Sequence, residues 1–478
     1  MVGGEIRRYA ALGALGSALL GAGGWSAGAL TLGERDGVWG VPAPSLVLLG
    51  AVAAYAGLSL LVVAWWQLGA LLRDGGAVSR RQQWVVLGCW AAPMVPGPLL
   101  FSSDAYSYVA QGAVAHRGWD AYEVGPAALG GVLPGDVPGM WRGTPAPYGP
   151  LWVAVCEAVV AVTGEHHVVV AVWGLRLLGL AALGLLAWAV RWLAGATGAG
   201  QAGAWWAAPL NPLLLVHVVG GVHNEALMLG LLLAGLVLFR RGYWRAGTAV
   251  LTLAALVKAP VGVALLCAGA AAVAARPGGR PRVRRALAIA AVAGGTLLAG
   301  VAACGQGWGW LHTVSTPARV VTLLSPTTAV GWVSGAALAG LGWGTQTAAL
   351  TVVRGVGLLA GAGVVVFWVR RAPRVGVEYA VGMALLGLVV SAPVVQPWYL
   401  LWGVVPLAAV AWPLLARTWV KAATVVMVLV TLPSGQNPER AYLLAAVTGV
   451  LLVAAVCAAR AWRAGRMCVP TAAARAPR

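Results

Sequence analysis

Charged residues are scarce in this sequence. Of its 478 residues, 9% are Asp, Glu, Lys or Arg, and only 13 are acidic. Soluble domains carry about 25% charged residues, so this composition excludes a water-soluble globule. The six cysteines show no Cys-x-x-Cys spacing, and the alternating strands of outer-membrane barrels are missing as well. The sequence therefore indicates neither a metal site nor a disulfide framework.

Long apolar segments make up most of the chain. Hydrophobic residues account for 60% of it, and the mean hydropathy is +0.84. The first segment follows Arg7 and Arg8 and is longer than a signal-peptide core, so we interpret it as a membrane span. Since one helical span needs about 20 apolar residues, the sequence predicts an all-α polytopic integral membrane protein with about fourteen transmembrane helices. The predicted spans are residues 9–32, 43–71, 83–101, 168–190, 203–219, 222–239, 245–258, 259–275, 286–304, 347–369, 375–393, 398–416, 419–433 and 440–459.

Basic residues recur at intervals that give these spans an orientation. The net charge of +19 is typical of proteins that bind nucleic acids, but cytoplasmic loops of membrane proteins are also rich in Arg and Lys. With a cytoplasmic N-terminus, one series of basic groups falls in order on the inner side, so we predict a multi-pass plasma-membrane protein with both termini in the cytoplasm and no nucleic-acid partner. These groups are Arg73, Arg80, Arg81, Arg191, Arg240, Arg241, Arg245, Arg276–Arg285, Arg370, Arg371, Arg374, Arg417, Lys421 and the tail from Arg460.

Two apolar segments cannot cross the membrane without reversing this orientation. A crossing at Leu151–Val162 or at Thr327–Leu341 would move the later basic loops outside. Leu151–Val162 is also short and follows the turn-rich segment 144–150, which suits a helix in the outer leaflet. We therefore predict interfacial or re-entrant helices at both places. Most acidic residues then lie on the outer side, which predicts that the chemistry faces outward.

These elements divide the chain into five parts. The division is an N-terminal two-span extension (1–82), a transmembrane core with a large outer loop at 102–167 (83–304), an outer loop with a re-entrant helix (305–346), C-terminal transmembrane helices (347–460) and a basic cytoplasmic tail (461–478).

Asp104 is the first candidate for chemistry. It lies where the third predicted span leaves the membrane on its outer face. A carboxylate at that depth is costly unless it has a partner or a function. The alternative is structural, because Asp is a favoured N-cap residue and would suit the start of a helix over 105–116.

A polar hairpin and two cations follow as candidates. His223, Asn224 and Glu225 lie in a short hairpin between two apolar segments, where they line a hydrophilic cavity or cap helix ends. Lys258, one of two lysines, and Arg319, in the long outer loop, are placed to meet a lipid phosphate or to snorkel to headgroups. A metal site is weakly supported, because His223 and Glu225 lack a suitably spaced third ligand.

The segment Gln396–Tyr399 joins two predicted spans on the outer side. Trp398 and Tyr399 fit an interfacial aromatic belt. They also fit a platform that stacks on a sugar ring while the Gln396 amide bonds its hydroxyls.

Taken together, the outer acid, the interfacial helices and the outer cations resemble the GT-C superfamily of polyprenyl-phosphate-sugar glycosyltransferases. Over residues 80–430 the chain more closely resembles the polyprenol-phosphomannose-dependent α-1,6-mannosyltransferases of the lipomannan pathway. This likeness is carried by SSDAYSYVAQG from Ser102, RGWDAYEVGPAALGG from Arg117, RGTPAPYGPLW from Arg142, NPLLLVHVVGGVHNEALMLGLLLAG from Asn211, STPARVVTLLSPTTAVG from Ser315 and QPWYLLWG from Gln396.

The resemblance implies a GT-C fold and an inverting transfer from polyprenyl-phosphate mannose to the 6-hydroxyl of a lipid-anchored α-1,6-mannan. Asp104 would be the general base, and Lys258 and Arg319 would bind the donor phosphate. Some members of the superfamily carry a second acid two residues after the first and use a metal; here that position is Tyr106, so we expect no metal cofactor. The residues expected to bind sugar or acceptor are Tyr148, His223, Asn224, Glu225, Gln396, Trp398 and Tyr399.

A transporter or flippase of a lipid-linked or anionic solute is the alternative function. Transporters place polar residues near the bilayer midplane in broken, repeated helices, whereas here the polar residues crowd the outer ends and no repeat is found. The residues alone do not distinguish a mannose donor from an arabinose or galactose donor. They also do not indicate which α-1,6 transfer in the assembly of the mannan is catalysed.

Overall fold

The computed structural model describes residues 2–31, 39, 44–411, 414–435 and 440–467. Within these ranges the chain is helical and has no β-strand, apart from one isolated antiparallel bridge between Ala29 and Leu99. The predicted all-α membrane architecture is thus confirmed. Most of the predicted basic tail, residues 468–478, lies outside the described residues.

The described residues form twenty-one α-helices. They are α1 (Val2–Ala27), α2 (Pro44–Arg73), α3 (Arg80–Ala91), α4 (Asp104–His116), α5 (Leu133–Asp136), α6 (Gly139–Arg142), α7 (Pro150–Thr163), α8 (Val168–Ala196), α9 (Gln201–Ala207), α10 (Pro212–Leu215), α11 (Glu225–Arg240), α12 (Trp244–Val257), α13 (Gly262–Ala274), α14 (Gly279–Cys304), α15 (Trp310–Thr313), α16 (Pro326–Gly340), α17 (Gln346–Val375), α18 (Val377–Ser391), α19 (Leu400–Ala408), α20 (Leu414–Leu429) and α21 (Arg440–Met467). Short 3-10 turns lie at Ala92–Met94, Pro126–Leu129, Ala259–Val261, Thr316–Arg319 and Pro397–Tyr399, and a π-helical turn lies at Val216–Gly220.

Four described helices are long and apolar enough to cross a membrane. They are α8, α14 and α17 together with the Leu46–Arg73 part of α2. A fifth span is possible if α9 and the segment Pro212–Gly220, which meet at a bend of 50°, are counted together. Several other predicted spans are apolar helices of 10–17 residues, and α1, with 26 residues, is not among the four, so the total of about fourteen spans stays a prediction.

The third predicted span differs from the structure. Only α3, which begins in a capping box between Ser79 and Gln82, is helical there, and it ends in the 3-10 turn Ala92–Met94. Residues 95–103 then run without helical hydrogen bonds. Pro93, Pro96 and Pro98 lack the backbone N–H that a helix requires, so a continuous helix over 83–101 cannot form.

Short helices occur at both segments for which interfacial or re-entrant helices are predicted. The segment Leu151–Val162 is α7, and the segment Thr327–Leu341 corresponds to α16. At 1.5 Å per residue, the 14 residues of α7 reach about 21 Å, less than the hydrocarbon core. Their placement in the outer leaflet stays a prediction, as do the five domain boundaries.

The core is organised around α4, α8 and α11. The helix α4 is buried along nearly its whole length and packs against α7 and α8. Next to it, α11 packs between α8 and α12, while α17 packs against α13, α16 and α18. The N-terminal helices are not separate, because α2 packs on both α1 and α21. This arrangement brings together the starts of α4 and α11, the end of α12 and the segment before α19.

Candidate active site

Asp104 is the first residue of α4, and Ser103 occupies the N-cap position without a capping side-chain hydrogen bond. The backbone N–H of Asp104 donates to Ser102 Oγ at 3.1 Å. Its carboxylate is 20% exposed and has its Oδ2 atom 3.9 Å from His223 Nδ1. Asp104 therefore does not occupy the N-cap position of α4, and its role in chemistry stays a prediction.

The segment before Asp104 is held by other parts of the chain rather than by a helix. The N–H of Leu100 donates to the Gly220 carbonyl at 3.1 Å, and that of Phe101 donates to the Pro433 carbonyl at 2.8 Å. Phe101 has a φ of 62°, in the left-handed region, which L-residues with a bulky side chain rarely adopt. These contacts fix the position from which α4 starts.

The polar hairpin follows the π-helical turn Val216–Gly220 and leads into α11. Val222 in this hairpin also has a left-handed backbone, with a φ of 56°. The side chains of His223 and Glu225 are completely buried. His223 Nδ1 lies 3.7 Å from Glu225 Oε2 and 3.4 Å from the hydroxyl of Tyr108. The hairpin is therefore an interior polar cluster and not a solvated turn.

Lys258, at the end of α12, completes this cluster. Its ammonium donates to Glu225 Oε1, and it also lies 3.4 Å from Asn224 Oδ1. The same Glu225 oxygen accepts from Trp402 Nε1 at 3.2 Å. The Lys258 side chain is 13% exposed. A buried carboxylate is thus balanced by one cation, as the cost of burying charge requires.

Aromatic rings enclose the cation and the imidazole. The Lys258 ammonium lies 5.6, 5.2 and 5.4 Å from the ring centroids of Tyr148, Tyr399 and Trp402, within cation–π range. On the other side, the Trp398 ring lies 4.0 Å from that of His223. The site thus presents aromatic faces beside polar groups, as carbohydrate sites do.

Several buried polar atoms of the cluster have no hydrogen-bond partner within the described ranges. They are both ring nitrogens of His217, His223 Nε2, Asn224 Nδ2 and Glu225 Oε2. Buried polar atoms are rarely left unpaired in proteins without a reason. Imidazole, amide and carboxylate groups can together donate to and accept from sugar hydroxyls.

The protonation of Asp104 is tuned by this environment. Burial raises the pKa of Asp104 to about 6, the Lys258 ammonium opposes the rise, and the Glu225 carboxylate adds to it. A carboxylate with such a pKa is ionised near neutrality and still a better proton acceptor than an ordinary Asp. The described residues contain no group of three or more His, Cys, Asp or Glu side chains able to hold a metal ion.

Most of the predicted site residues come together here. The structure joins Asp104, Tyr148, His223, Asn224, Glu225, Lys258, Trp398 and Tyr399 in one cluster. It does not bring Arg319 to them: that residue is exposed at the end of the turn Thr316–Arg319, and no ion pair joins it to the cluster among the described residues. Gln396 is half-buried beside Trp398, and no side-chain hydrogen bond of Gln396 is present in the described part.

Sequence reasoning missed three residues around the site. Tyr108 and Trp402 each follow a predicted site residue, Asp104 and Trp398, at the i+4 spacing that places side chains on one helical face. Arg176 is the one charged residue within the predicted span 168–190, and an isolated charge inside a span marks functional sites in membrane proteins. All three carried a sequence signal that could have found them.

Comparison with known proteins agrees with this picture. The family model described as "Alpha-(1->6)-mannopyranosyltransferase, N-terminal domain" matches residues 10–275, and one described as "MptB C-terminal domain" matches residues 327–460. No solved structure matches the chain.

Curated relatives match over most of their length. A probable α-(1→6)-mannopyranosyltransferase of Mycolicibacterium smegmatis is 35% identical, covering 96% of this chain and 90% of the relative. An α-(1→6)-mannopyranosyltransferase of Mycobacterium tuberculosis is 32% identical over 84% of this chain and 78% of its own. The α-(1→6)-mannopyranosyltransferase B of Corynebacterium glutamicum is 32% identical, with coverage of 90% and 78%. The chain therefore belongs to the α-(1→6)-mannopyranosyltransferase family.

Proposed function

We propose that this protein is an inverting mannosyltransferase of the outer face of the plasma membrane. It transfers mannose from polyprenyl-phosphate mannose to the 6-hydroxyl of a lipid-anchored α-1,6-mannan. The observation that carries the proposal is the partly exposed Asp104 carboxylate, which faces the buried His223 and the Lys258–Glu225 pair. The names of the relatives support the sugar and the linkage.

Asp104 acts as the general base in this mechanism. As the acceptor oxygen attacks the anomeric carbon, Asp104 takes the hydroxyl proton, the new C–O bond forms, and the bond from the anomeric carbon to the donor phosphate oxygen breaks. The electron pair of that bond leaves with polyprenyl phosphate, so the β-linked donor gives an α-linked product. The phosphate leaves as an anion and needs charge stabilisation more than protonation.

Lys258 supplies that stabilisation. Its ammonium has three N–H donors, of which the Glu225 and Asn224 contacts use two, so the third can bind a phosphate oxygen. The aromatic rings around the ammonium exclude water, which strengthens its interaction with the developing charge. Arg319 is proposed as the second phosphate contact, delivered by the outer loop that carries it.

The sugar and acceptor lie on the aromatic faces of Tyr148, Trp398 and Tyr399. The hydroxyls of the sugar and of the acceptor form hydrogen bonds with His223, Asn224, Glu225 and Gln396. The unpaired atoms of the buried cluster support this assignment, since a polyol satisfies acceptors and donors together. No metal is required in the proposal: the hydroxyl of Tyr106, at the position of a second acid, is buried and donates to the Ala29 carbonyl at 2.7 Å.

The distribution of basic groups supports the outer-face orientation. Arg191, near the far end of α8, donates to Gln83 beside the start of α3 at 2.9 Å, and Arg241 lies over the Trp192 ring at 5.4 Å. Arg176, whose guanidinium bonds the Gly97 carbonyl in the segment before Asp104, precedes Arg191 by 15 residues of α8, about 22 Å along the helix. Cytoplasmic loops collect arginine, so the site belongs to the outer end and both termini to the inner side. The family names do not favour a transporter.

The test is mannose transfer from synthetic polyprenyl-phosphate mannose to a short α-1,6-mannoside, with purified protein in detergent. Asp104→Asn is expected to lower kcat by about 10²–10⁴-fold, the usual contribution of a general base. The matched control is Glu123→Gln, which changes an exposed acid of the same outer loop and keeps the wild-type rate. A chelator leaves the wild-type rate unchanged. Transfer that survives in Asp104→Asn would overturn the assignment of the base.

A further inference from the structure

Arg176 is a buried cation that the mechanism does not use. It lies two turns into the apolar span α8, and 1% of its surface is exposed. Among the described residues, no acidic side chain pairs with it. An arginine inside an apolar span is costly and is kept where it satisfies other polar groups.

Its partners are four backbone carbonyls. One terminal nitrogen, Nη1, donates to the carbonyls of Val95 and Gly97 at 2.6 and 2.7 Å. The other, Nη2, donates to the carbonyls of Pro98 and Gly220 at 3.2 and 3.3 Å. The guanidinium is a planar, rigid fork of donors, so these four oxygens are held at set positions relative to α8.

The four carbonyls lie in the two segments that lead into the candidate active site. Val95, Gly97 and Pro98 lie in the segment that leads into Asp104. Gly220 ends the π-helical turn that precedes His223 and Glu225. Carbonyls outside regular structure need partners in an apolar surrounding, and a single side chain on a long, regular helix supplies them for both segments.

We propose that Arg176 is a positioning residue that fixes the Asp104 carboxylate relative to the Glu225–Lys258 pair. It touches neither group. It acts by tying the backbone before Asp104 and the backbone before His223 to one rigid helix, and the hydrogen bond from Leu100 to Gly220 joins the same two segments directly. This proposal rests on the proposed role of Asp104 as the base.

The test compares Arg176→Lys and Arg176→Gln with Arg191→Gln, a matched control on the same helix whose side chain bonds Gln83 far from the site. Lysine keeps the positive charge but lacks the two terminal guanidinium nitrogens that donate to the four carbonyls. A displacement of about 1 Å at a reacting group costs on the order of 10²-fold in rate, so we expect kcat to fall by that order in Arg176→Lys. The KM for the acceptor should change less than kcat, because the aromatic residues Tyr148, Trp398 and Tyr399 are not tied to Arg176. Arg191→Gln should keep the wild-type kcat.

Two further measurements separate positioning from folding. The rate is expressed per folded molecule, from size-exclusion and thermal unfolding in the same detergent, and the low-pH limb of the rate profile is recorded. A positioning role moves that limb in Arg176→Lys, because the Asp104 surroundings change. Wild-type kcat and pH profile in folded Arg176→Lys would overturn the proposal, and so would loss of folded protein in both Arg176 variants. If the assignment of Asp104 as the base is wrong, the Asp104→Asn variant will still transfer mannose, and this outcome is distinct from those of the Arg176 variants.

Discussion

At the scale of single residues, the site consists of two carboxylates that share one cation. Asp104 is partly exposed, whereas Glu225 is fully buried and holds Lys258. In the proposed mechanism the Lys258–Glu225 pair places one positive charge where the donor phosphate leaves, and both charges also change the pKa of Asp104, which burial raises. The two roles can therefore be separated by measuring how the rate depends on pH.

The pH dependence of transfer reports on this coupling. Since the pKa of Asp104 is raised to about 6, kcat/KM should fall below that pH, as the base becomes protonated, and be flat above it. Lys258→Met removes a charge that lowers the pKa, so the limb should move to higher pH. Glu225→Gln removes a charge that raises the pKa, so the limb should move to lower pH.

The measurement is kcat/KM against pH for both variants, taken on the residual activity of each. The exposed pair Arg117–Glu165 offers the control, because Glu165→Gln lies outside the cluster and should leave the limb in place. Shifts of the same sign in Lys258→Met and Glu225→Gln would contradict the assignment of the limb to Asp104.

At the scale of elements, the site depends on one close approach between α7 and α12. Gly149 precedes α7, and its N–H donates to the Val257 carbonyl at 3.2 Å. A Cβ atom built at Gly149 would lie 2.0 Å from the Leu256 carbonyl oxygen. Because Tyr148 and Lys258 flank this contact, the glycine lets the tyrosine ring reach the ammonium.

Gly149→Ala is therefore expected to separate these two elements. The backbone conformation there suits alanine, with φ −68° and ψ 158°, so the effect is steric. Overpacking of this kind costs about 1–3 kcal/mol, and the thermal midpoint and kcat should both fall. Gly139→Ala is the control, since a Cβ there meets nothing within 4 Å. Equal midpoints and rates for the two variants would contradict this role of Gly149.

The comparison of sequence and structure is also clearest at this scale. The polar residues of the site were predictable because Asp104, His223, Glu225 and Lys258 interrupt apolar segments, where polar groups need a reason. The break in the helix at residues 95–103 was not predictable from hydropathy, because hydropathy records how apolar a segment is and not whether its backbone stays helical. Proline spacing marks such a break, but the partners that make it tolerable, above all Arg176, come from 80 residues further along the chain. Likewise, the distance from Arg319 to the cluster depends on the path of a long loop, which no local pattern determines.

At the scale of the whole molecule, the fold separates a polar, aromatic end from a basic end. The separation predicts that the two ends lie on opposite sides of the membrane. Glu123→Cys, in the outer loop, should react with a membrane-impermeant maleimide added to intact cells. Arg280→Cys, in the exposed segment at the start of α14, should react only after the membrane is permeabilised.

The wild-type chain gives the background for this labelling: among the described residues Cys156, Cys267 and Cys304 are buried and Cys89 and Cys457 are half-buried, while Cys468 lies outside the described residues. Labelling of Arg280→Cys in intact cells, with Glu123→Cys protected, would reverse the orientation and place the site on the cytoplasmic side.

Phe101 and Val222, the two residues other than glycine with a left-handed backbone among those the structure describes, lie one in each segment that leads into the site. A side chain in this conformation costs about 1–2 kcal/mol, but both side chains are buried, with 2% of their surface exposed, and deleting a buried Phe side chain costs about 3–5 kcal/mol. Glycine at position 101 would therefore relieve the backbone and still destabilise the protein. A laboratory selection for heat resistance would keep phenylalanine there, so the strained path into Asp104 is preserved by the apolar contacts of its own side chain.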